Sequence, residues 1–305
     1  MKSYAGPRIE FDERNFDPMK VAVVSHQLMG HPLLEYDRLV ALGRRLAAKN
    51  SVRWHDDRAS PDTPFGQAPE TNRAQWSAEQ TIERIEDARA WCSLLNVQQD
   101  PEYRALVDEV LDSVRPRIDR VDPGMCYRGG WIFITSPNAV TPFHIDHEHN
   151  FILQVRGKKT VHVWEPLDRE SLSEEALELF HGLYRRDRVV WREEIEKRAH
   201  AFEFEPGMGA YMPTTSPHWV KNGPGVSVTV SFTYYTNATS RRKLLHRANH
   251  LLRERGIVPA PVGAHPLRDA AKVAGYRAVR AASLLVKRVR GHPAERLDAA
   301  YAIPT

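Results

Sequence analysis

The chain has 305 residues, of which 42% are hydrophobic and 27% are charged. This is the composition of a globular protein, and it excludes a mainly disordered, collagen-like or coiled-coil chain. The only cysteines, Cys92 and Cys126, are too few for a disulfide framework or a four-cysteine zinc site, so we expect a reducing, cytoplasmic compartment. No run of about 18 apolar residues occurs, and no membrane span is predicted.

The first 125 residues are predicted to be a mostly helical region that packs on the core. Apolar residues at steps of three and four predict helices over residues 33–50 and 79–95, and a third helix begins at Pro101. Residues 51–76 are rich in Pro, Asp and Ser, which predicts a long loop between the first two helices.

Residues 126–237 are predicted to form the β-strand core of the protein, because short β-branched or aromatic runs there are separated by Gly, Pro and Asn. In the last run, Val228, Val230 and Phe232 alternate with Ser and Thr, which predicts one apolar and one polar face. This pattern favours a barrel or sandwich whose polar face lines a pocket. A hairpin turn is predicted at Gly157, and a helical insertion over residues 169–198.

Residues 238–305 are predicted to form a basic C-terminal helical extension. Residues 240–290 contain 13 Lys and Arg against 2 Asp and Glu, although the whole chain carries a net charge of only +4. The segment ends in an amphipathic basic helix, which fits either a homodimer formed through its apolar face or contact with nucleic acid. No helix-turn-helix motif supports the second alternative.

A candidate metal site combines two distant segments. His144 and Asp146 are two apart on a predicted strand, so their side chains point to one side, and His218 follows a second strand and a turn. Two imidazoles and one carboxylate form the facial triad that suits non-haem Fe(II), since three metal positions stay open. The other His-x-Asp pair, His55 and Asp57, lies in the predicted loop with nothing to complete a site.

Other polar residues near this triad fit a cosubstrate. Lys159 follows the hairpin turn, where its ammonium group can neutralise a dicarboxylate. Thr141 shares the strand of the first two predicted ligands but needs local twist or a bulge at Pro142 to face the pocket, and Asn150 begins the next strand.

The pattern Thr141-Pro142-x-His144-x-Asp146, continued by Asn150 and a Gly-x-Lys turn, resembles the cupin-like (JmjC-type) Fe(II)/2-oxoglutarate oxygenases. Within that family it is most similar to the asparaginyl hydroxylase that inhibits hypoxia-inducible factor, and it is also similar to bacterial cupin-like proteins labelled as regulators. The resemblance covers about residues 126–237. It implies a double-stranded β-helix (jelly-roll) flanked by N-terminal and C-terminal helices.

The resemblance also implies roles for six residues. Fe(II) would be bound by His144, Asp146 and His218, and 2-oxoglutarate by Thr141, Asn150 and Lys159. The implied activity is a dioxygenase reaction with O2 that hydroxylates a protein or peptide side chain and converts 2-oxoglutarate to succinate and CO2. N-methyl-lysine demethylation and oxidation of an RNA base or a small molecule stay open.

Two further classes of protein remain as alternatives, namely a non-catalytic ligand-sensing regulator with a nucleic-acid-binding tail and a metal-dependent cupin without 2-oxoglutarate. His147 and His149 are expected to form a polar rim or contact substrate rather than to bind metal. Pro217, Ser231 and Thr233 depart from the related hydroxylase, so its substrate choice is not transferred.

Overall fold

The computed structural model describes residues 6–289, so the last residues of the predicted basic tail lie outside the described part of the chain. The described strands are β1 (Ile9–Glu10), β2 (Ala22–His26), β3 (Val52–Asp56), β4 (Ala90–Leu94), β5 (Cys126–Thr135), β6 (Val140–His144), β7 (His149–Arg156), β8 (Lys159–Val163), β9 (His200–Phe204), β10 (Met208–Met212), β11 (His218–Asn222) and β12 (Ser227–Tyr235).

Helices flank these strands on both sides along the chain. The α-helices are α1 (Tyr36–Ala47), α2 (Ala68–Thr71), α3 (Ala78–Glu83), α4 (Pro101–Val121), α5 (Glu174–Leu183), α6 (Glu193–Glu196), α7 (Asn237–Arg253) and α8 (Pro266–Val289), and single 3-10 turns lie at Pro32–Leu34, Phe65–Gln67 and Val97–Gln99. In residues 6–289 no helix is both long and apolar enough to cross a bilayer.

The strands form two antiparallel sheets. The large sheet has the order β1-β2-β10-β7-β12-β5-β4-β3, and the small sheet has the order β6-β11-β8-β9. From β5 to β12 the chain passes back and forth between the sheets, so that β5, β7, β10 and β12 lie in one and β6, β8, β9 and β11 in the other. This topology is a double-stranded β-helix, and it confirms the predicted fold class.

The two faces of β12 lie in different environments, as its alternation predicts. Val228, Val230 and Phe232 belong to a large apolar core that also includes side chains of α1 and α4. Ser231 and Thr233 are buried on the opposite face, toward the small sheet. A separate apolar cluster packs between the sheets and fills part of the interior.

The prediction of a helix over residues 79–95 is wrong for the second half of that range. Ser77 caps α3, but Ala90–Leu94 forms β4, which pairs with β3 on one side and β5 on the other. All five β4 residues are buried, and a strand covered on both faces lacks the alternation that marks a strand in sequence. The N-terminal region is therefore not mostly helical, since four of its strands extend the large sheet.

The connections between the barrel strands agree with the hairpin turn and the helical insertion that the sequence predicts. Gly157 adopts φ +75° in the tight turn between β7 and β8, where a Cβ atom would lie 2.3 Å from the Val226 carbonyl oxygen. The helices α5 and α6 lie between β8 and β9, inside the predicted insertion. Helix α7 packs on α5, where Arg253 Nε donates to Glu178 Oε2 at 2.5 Å. Dimerisation and nucleic-acid binding by the tail stay predictions.

Candidate metal centre

Strands β6 and β11 bring the two distant segments of the candidate site together. His218 is the direct partner of His144 in the antiparallel register, and Asp146 follows just beyond the end of β6. Among the described residues, His144, Asp146 and His218 are the one group of three His, Cys, Asp or Glu residues with metal-binding geometry, since their ligand atoms all lie within 4.8 Å of one another.

The geometry of this group fits one divalent cation. The Asp146 Oδ2 atom lies 3.8 Å from Nε2 of His144 and 3.8 Å from Nε2 of His218. The two imidazole centroids are 4.1 Å apart. Each residue thus presents one donor atom to a common point, which is the arrangement of a two-histidine, one-carboxylate site.

Hydrogen bonds at the other ring nitrogens fix the tautomer of both histidines. Nδ1 of His144 donates to the Pro142 carbonyl oxygen at 2.8 Å, and Nδ1 of His218 donates to the Ser216 carbonyl oxygen at 3.0 Å. Because a carbonyl oxygen only accepts, both Nδ1 atoms carry a proton, and both Nε2 lone pairs are free for a metal. Burial, helped by His218 and Arg186, holds the pKa of His144 well below its usual value and keeps it neutral.

The turn between β10 and β11 contains a non-glycine residue in a left-handed conformation. Thr215 has φ +62°, and its backbone N–H donates to the Asp146 carbonyl oxygen at 2.9 Å. Its hydroxyl group donates to the Thr214 carbonyl oxygen at 2.6 Å. The turn therefore ties the second metal-binding segment to the carboxylate-bearing one, at the cost of backbone strain that a glycine would avoid.

The predicted cosubstrate residues all lie on inward-facing positions of the barrel. Lys159 is opposite Asn222 on β11, Asn150 is opposite Thr233 on β12, and Thr141 is opposite Val220 on β11. A register irregularity on β6 separates the Thr141 and His144 pairs, so residues three apart face the same way. The bulge that Thr141 requires is therefore present.

Lys159 is a buried cation without a counter-charge. Lys159 is 6% exposed, and in the described part of the chain no carboxylate lies within ion-pair distance of its ammonium group. Burial lowers its pKa from 10.5 to about 7. A cation in this position lacks the partner that buried charges normally have, which points to an anionic ligand.

Neighbouring polar groups also lack protein partners. The buried atoms Asn150 Oδ1, Ser231 Oγ and Thr233 Oγ1 form no hydrogen bond within the described residues. Thr141 differs, because its hydroxyl oxygen accepts a hydrogen bond from Trp91 Nε1 at 2.7 Å. Buried polar groups are rarely left unpaired, so the inner face is chemically suited to a polar small molecule.

His147 and His149 lie outside the three-residue group. Nδ1 of His147 is 3.2 Å from Nδ1 of His181, and its ring stacks on Phe180. His149 is hydrogen-bonded to Tyr211 and to Thr239 of α7. Their contacts join the metal-binding segment to the insertion and to the C-terminal helices.

The unused His-x-Asp pair is also separate from the site. His55 stacks on Trp91 with a centroid distance of 4.8 Å, and its Nδ1 donates to the Asp56 carbonyl oxygen at 2.7 Å. Burial lowers its pKa to about 4. It is a satisfied core histidine in β3.

Two residues that the sequence did not single out contact the metal ligands. Phe65, in the predicted loop, stacks on His144 with a centroid distance of 3.8 Å and an interplanar angle of 4°. Arg186, in the insertion, places Nη2 3.9 Å from Asp146 Oδ1. Arg53 lies on strand β3, and its guanidinium carbon is 4.2 Å from the centroid of the Phe65 ring.

A surface cleft of about 590 Å³ adjoins the site. Its walls come from the loop around Phe65 and from the insertion around Arg186, with aromatic side chains at Phe143, Tyr184 and Trp191. Phe65 both lines the cleft and covers the His144 ring, so the cleft borders the metal centre from outside.

No protein-family model matches the chain, and no curated protein matches it. Solved structures include the Escherichia coli ribosomal oxygenase YcfD, at 13% identity and a TM-score of 0.46 over 88% of this chain and 67% of that chain. The same protein in complex with cobalt and 2-oxoglutarate aligns at 16% identity and a TM-score of 0.44 over 89% and 67%. Oxalate decarboxylase from Bacillus subtilis aligns at 16% identity and a TM-score of 0.23 over 35% and 21%.

Oxygenases are thus among the structural neighbours of this chain. With TM-scores below 0.5, the likeness carries no argument about activity. The fold class follows from the strand order.

Proposed function

We propose that this protein is an Fe(II)- and 2-oxoglutarate-dependent oxygenase that hydroxylates a protein or peptide side chain. The observation that carries the proposal is a pair of features on one inner face. Three side chains present donor atoms to one point, and an unpaired, buried Lys159 lies on the same face.

The donor set fits iron better than structural zinc. Closed zinc sites normally have four protein ligands, whereas the described residues offer three at this point. Two imidazoles and one carboxylate leave positions for a chelating cosubstrate and for O2. His144 and His218 would each donate through Nε2, and Asp146 through Oδ2.

The inner face fits a dicarboxylate. Lys159 supplies one positive charge where no protein carboxylate balances it, and Thr141 on β6 and Asn150 on β7 supply hydrogen-bonding groups from the two opposite sheets. The charges of a divalent metal, Asp146, the two carboxylates of 2-oxoglutarate and Lys159 sum to neutrality. Neutrality matters here because the site is buried and an excess charge would be costly to hold.

Iron together with 2-oxoglutarate supplies the oxidising chemistry, which couples hydroxylation of a C–H bond to conversion of 2-oxoglutarate to succinate and CO2. The residues of the chain would bind the metal and the cosubstrate, orient them and shield them from water. Proton donation by Nδ1 to backbone carbonyl groups keeps His144 and His218 in the ligating tautomer, and Phe65 keeps water from one face of His144.

A protein or peptide substrate is supported by the resemblance of the motif and by the cleft. The cleft is open to solvent, and its volume and aromatic lining suit a side chain presented by an extended segment. Because Phe65 and Arg186 line the cleft and contact the predicted metal ligands, a substrate held there would be separated from those ligands by a single side chain.

The test is Fe(II)-dependent formation of succinate from 2-oxoglutarate, first without substrate and then with candidate peptides. His144→Ala is the inactive reference, and Lys158→Met is the matched control for Lys159→Met, since Lys158 is exposed and paired with Glu205. We expect peptide-stimulated succinate from the unaltered chain and from Lys158→Met only. Succinate formation equal to that of His144→Ala would contradict the proposal, and 2-oxoglutarate binding without turnover would favour a ligand-sensing regulator.

A further inference from the structure

Arg186 lies beside the metal ligand Asp146 but belongs to no motif of the sequence. We propose that Arg186 is a positioning residue, which holds the Asp146 carboxylate with one oxygen toward the metal and the other toward the insertion. This inference rests on the proposed function, since it concerns the same metal centre.

The guanidinium group of Arg186 is itself held in place. Its Nε–H donates to the Ile145 carbonyl oxygen at 3.2 Å, on the residue that separates the two ligands of this segment. Its central carbon lies 4.8 Å from the ring centroid of Phe180 on α5 and 5.6 Å from that of Phe65. A side chain fixed by one hydrogen bond and two aromatic faces is able to orient a neighbour.

The two oxygens of Asp146 face different partners. Oδ2 lies at the same distance from both histidine Nε2 atoms, while Oδ1 lies 3.9 Å from Nη2 of Arg186. That distance is too long for a hydrogen bond but lies within ion-pair range for two partly buried charges. Because the terminal torsion of an aspartate is broad and this side chain is 32% exposed, the carboxylate would turn freely without such a partner.

The sign of the effect on metal affinity separates positioning from simple electrostatics. A cation near a divalent metal repels it, so charge alone predicts tighter metal binding when Arg186 is removed. Positioning predicts weaker metal binding, because a carboxylate that rotates freely spends less time in the ligating orientation. The two accounts therefore make opposite predictions for one measurement.

The experiment is titration of Co(II) into the metal-free full chain, followed by calorimetry and by visible absorption of the bound ion. Arg186→Met removes the guanidinium group, and Arg186→Lys keeps the charge but lacks the Nε–H donor and the planar fork. Arg185→Met is the matched control, since Arg185 is 58% exposed and is paired with Asp187.

We expect Arg186→Met to weaken Co(II) binding about tenfold or more and to change its absorption spectrum. Arg186→Lys should also bind more weakly than the unaltered chain, and Arg185→Met should bind equally well. Unchanged or tighter binding by Arg186→Met, or full affinity in Arg186→Lys, would overturn the inference. An equal loss in Arg185→Met would do the same.

Arg186→Lys carries the test by itself if Arg186→Met does not fold. Absence of the metal centre on which the proposed function rests gives a different result, because the unaltered chain would then bind no Co(II). Binding by the unaltered chain with no effect at Arg186 would leave the proposed function intact and remove only the positioning role.

Discussion

Thr141 and His144 face the same interior although they are three residues apart on β6. Thr141 is opposite Val220 and His144 is opposite His218 across the same strand pair, and the register irregularity between them absorbs the odd residue. A regular strand would have turned Thr141 to the other side of the sheet. The bulge thus lets one short strand carry both a metal ligand and a predicted cosubstrate contact.

Lys159→Met should abolish high-affinity binding of 2-oxoglutarate to the metal-loaded protein. The buried ammonium group lies on the inward side of β8, where it would meet the distal carboxylate, and Met keeps the length of the side chain without its charge. Calorimetric titration of 2-oxoglutarate in the presence of Co(II) measures the loss. Unchanged affinity would place the dicarboxylate elsewhere.

The same variant should change how stability depends on pH. The pKa of Lys159 is lowered to about 7 in the fold, so the unfolded chain binds more protons above that pH. Its contribution therefore makes stability rise as pH increases from about 7 toward 10, by at most about 1.4 kcal/mol per pH unit.

Urea unfolding of both proteins at about pH 7 and about pH 9 isolates this contribution, because other titrating groups are common to both. We expect the rise in unfolding free energy to be smaller in Lys159→Met. An identical pH dependence in the two proteins would show that Lys159 titrates normally.

His218→Ala should lose the metal-dependent rise in melting temperature, since it removes one of three ligands. The control is His55→Gln, which breaks the other His-x-Asp pair but leaves the metal centre intact. A ligand present at about 100 times its Kd stabilises a fold by about 2.7 kcal/mol, which thermal unfolding detects readily. Retention of the Co(II)-dependent shift in His218→Ala would remove that residue from the ligand set.

Glu178→Ala should destabilise the protein more than Glu175→Ala. Both carboxylates contact Arg253 of α7, but the Glu178 side chain is 1% exposed and that of Glu175 is 43% exposed. Loss of Glu178 removes two charge-assisted hydrogen bonds from Arg253, worth about 1.5 to 3 kcal/mol, whereas an exposed pair contributes less than about 1 kcal/mol. Equal unfolding free energies for the two variants would mean that α7 does not dock on α5 as described.

The chemistry-bearing segment could be read from the sequence because its information is local. The two-residue spacing of His144 and Asp146 and the alternation along β12 depend only on strand geometry. A bulge was also required by the Thr141 spacing alone. The predicted third ligand, His218, was indicated by the strand and tight turn that precede it in the sequence.

The contributions of Phe65 and Arg186 could not be found in this way. Phe65 is an isolated aromatic residue in a polar loop, and Arg186 is one of several arginines in an insertion, so neither has a local signal. Their contacts with His144 and Asp146 arise only when distant segments fold over β6. Strand β4 differs from its helical prediction for a related reason, since burial of both its faces removes the alternation that identifies a strand.

The most direct measurement of the central claim is anaerobic calorimetric titration of 2-oxoglutarate into the full chain, with and without Fe(II). We expect one equivalent of 2-oxoglutarate to bind when Fe(II) is present, and much weaker binding without it. Equal binding in both conditions, or no binding in either, would contradict a shared site for the metal and the dicarboxylate.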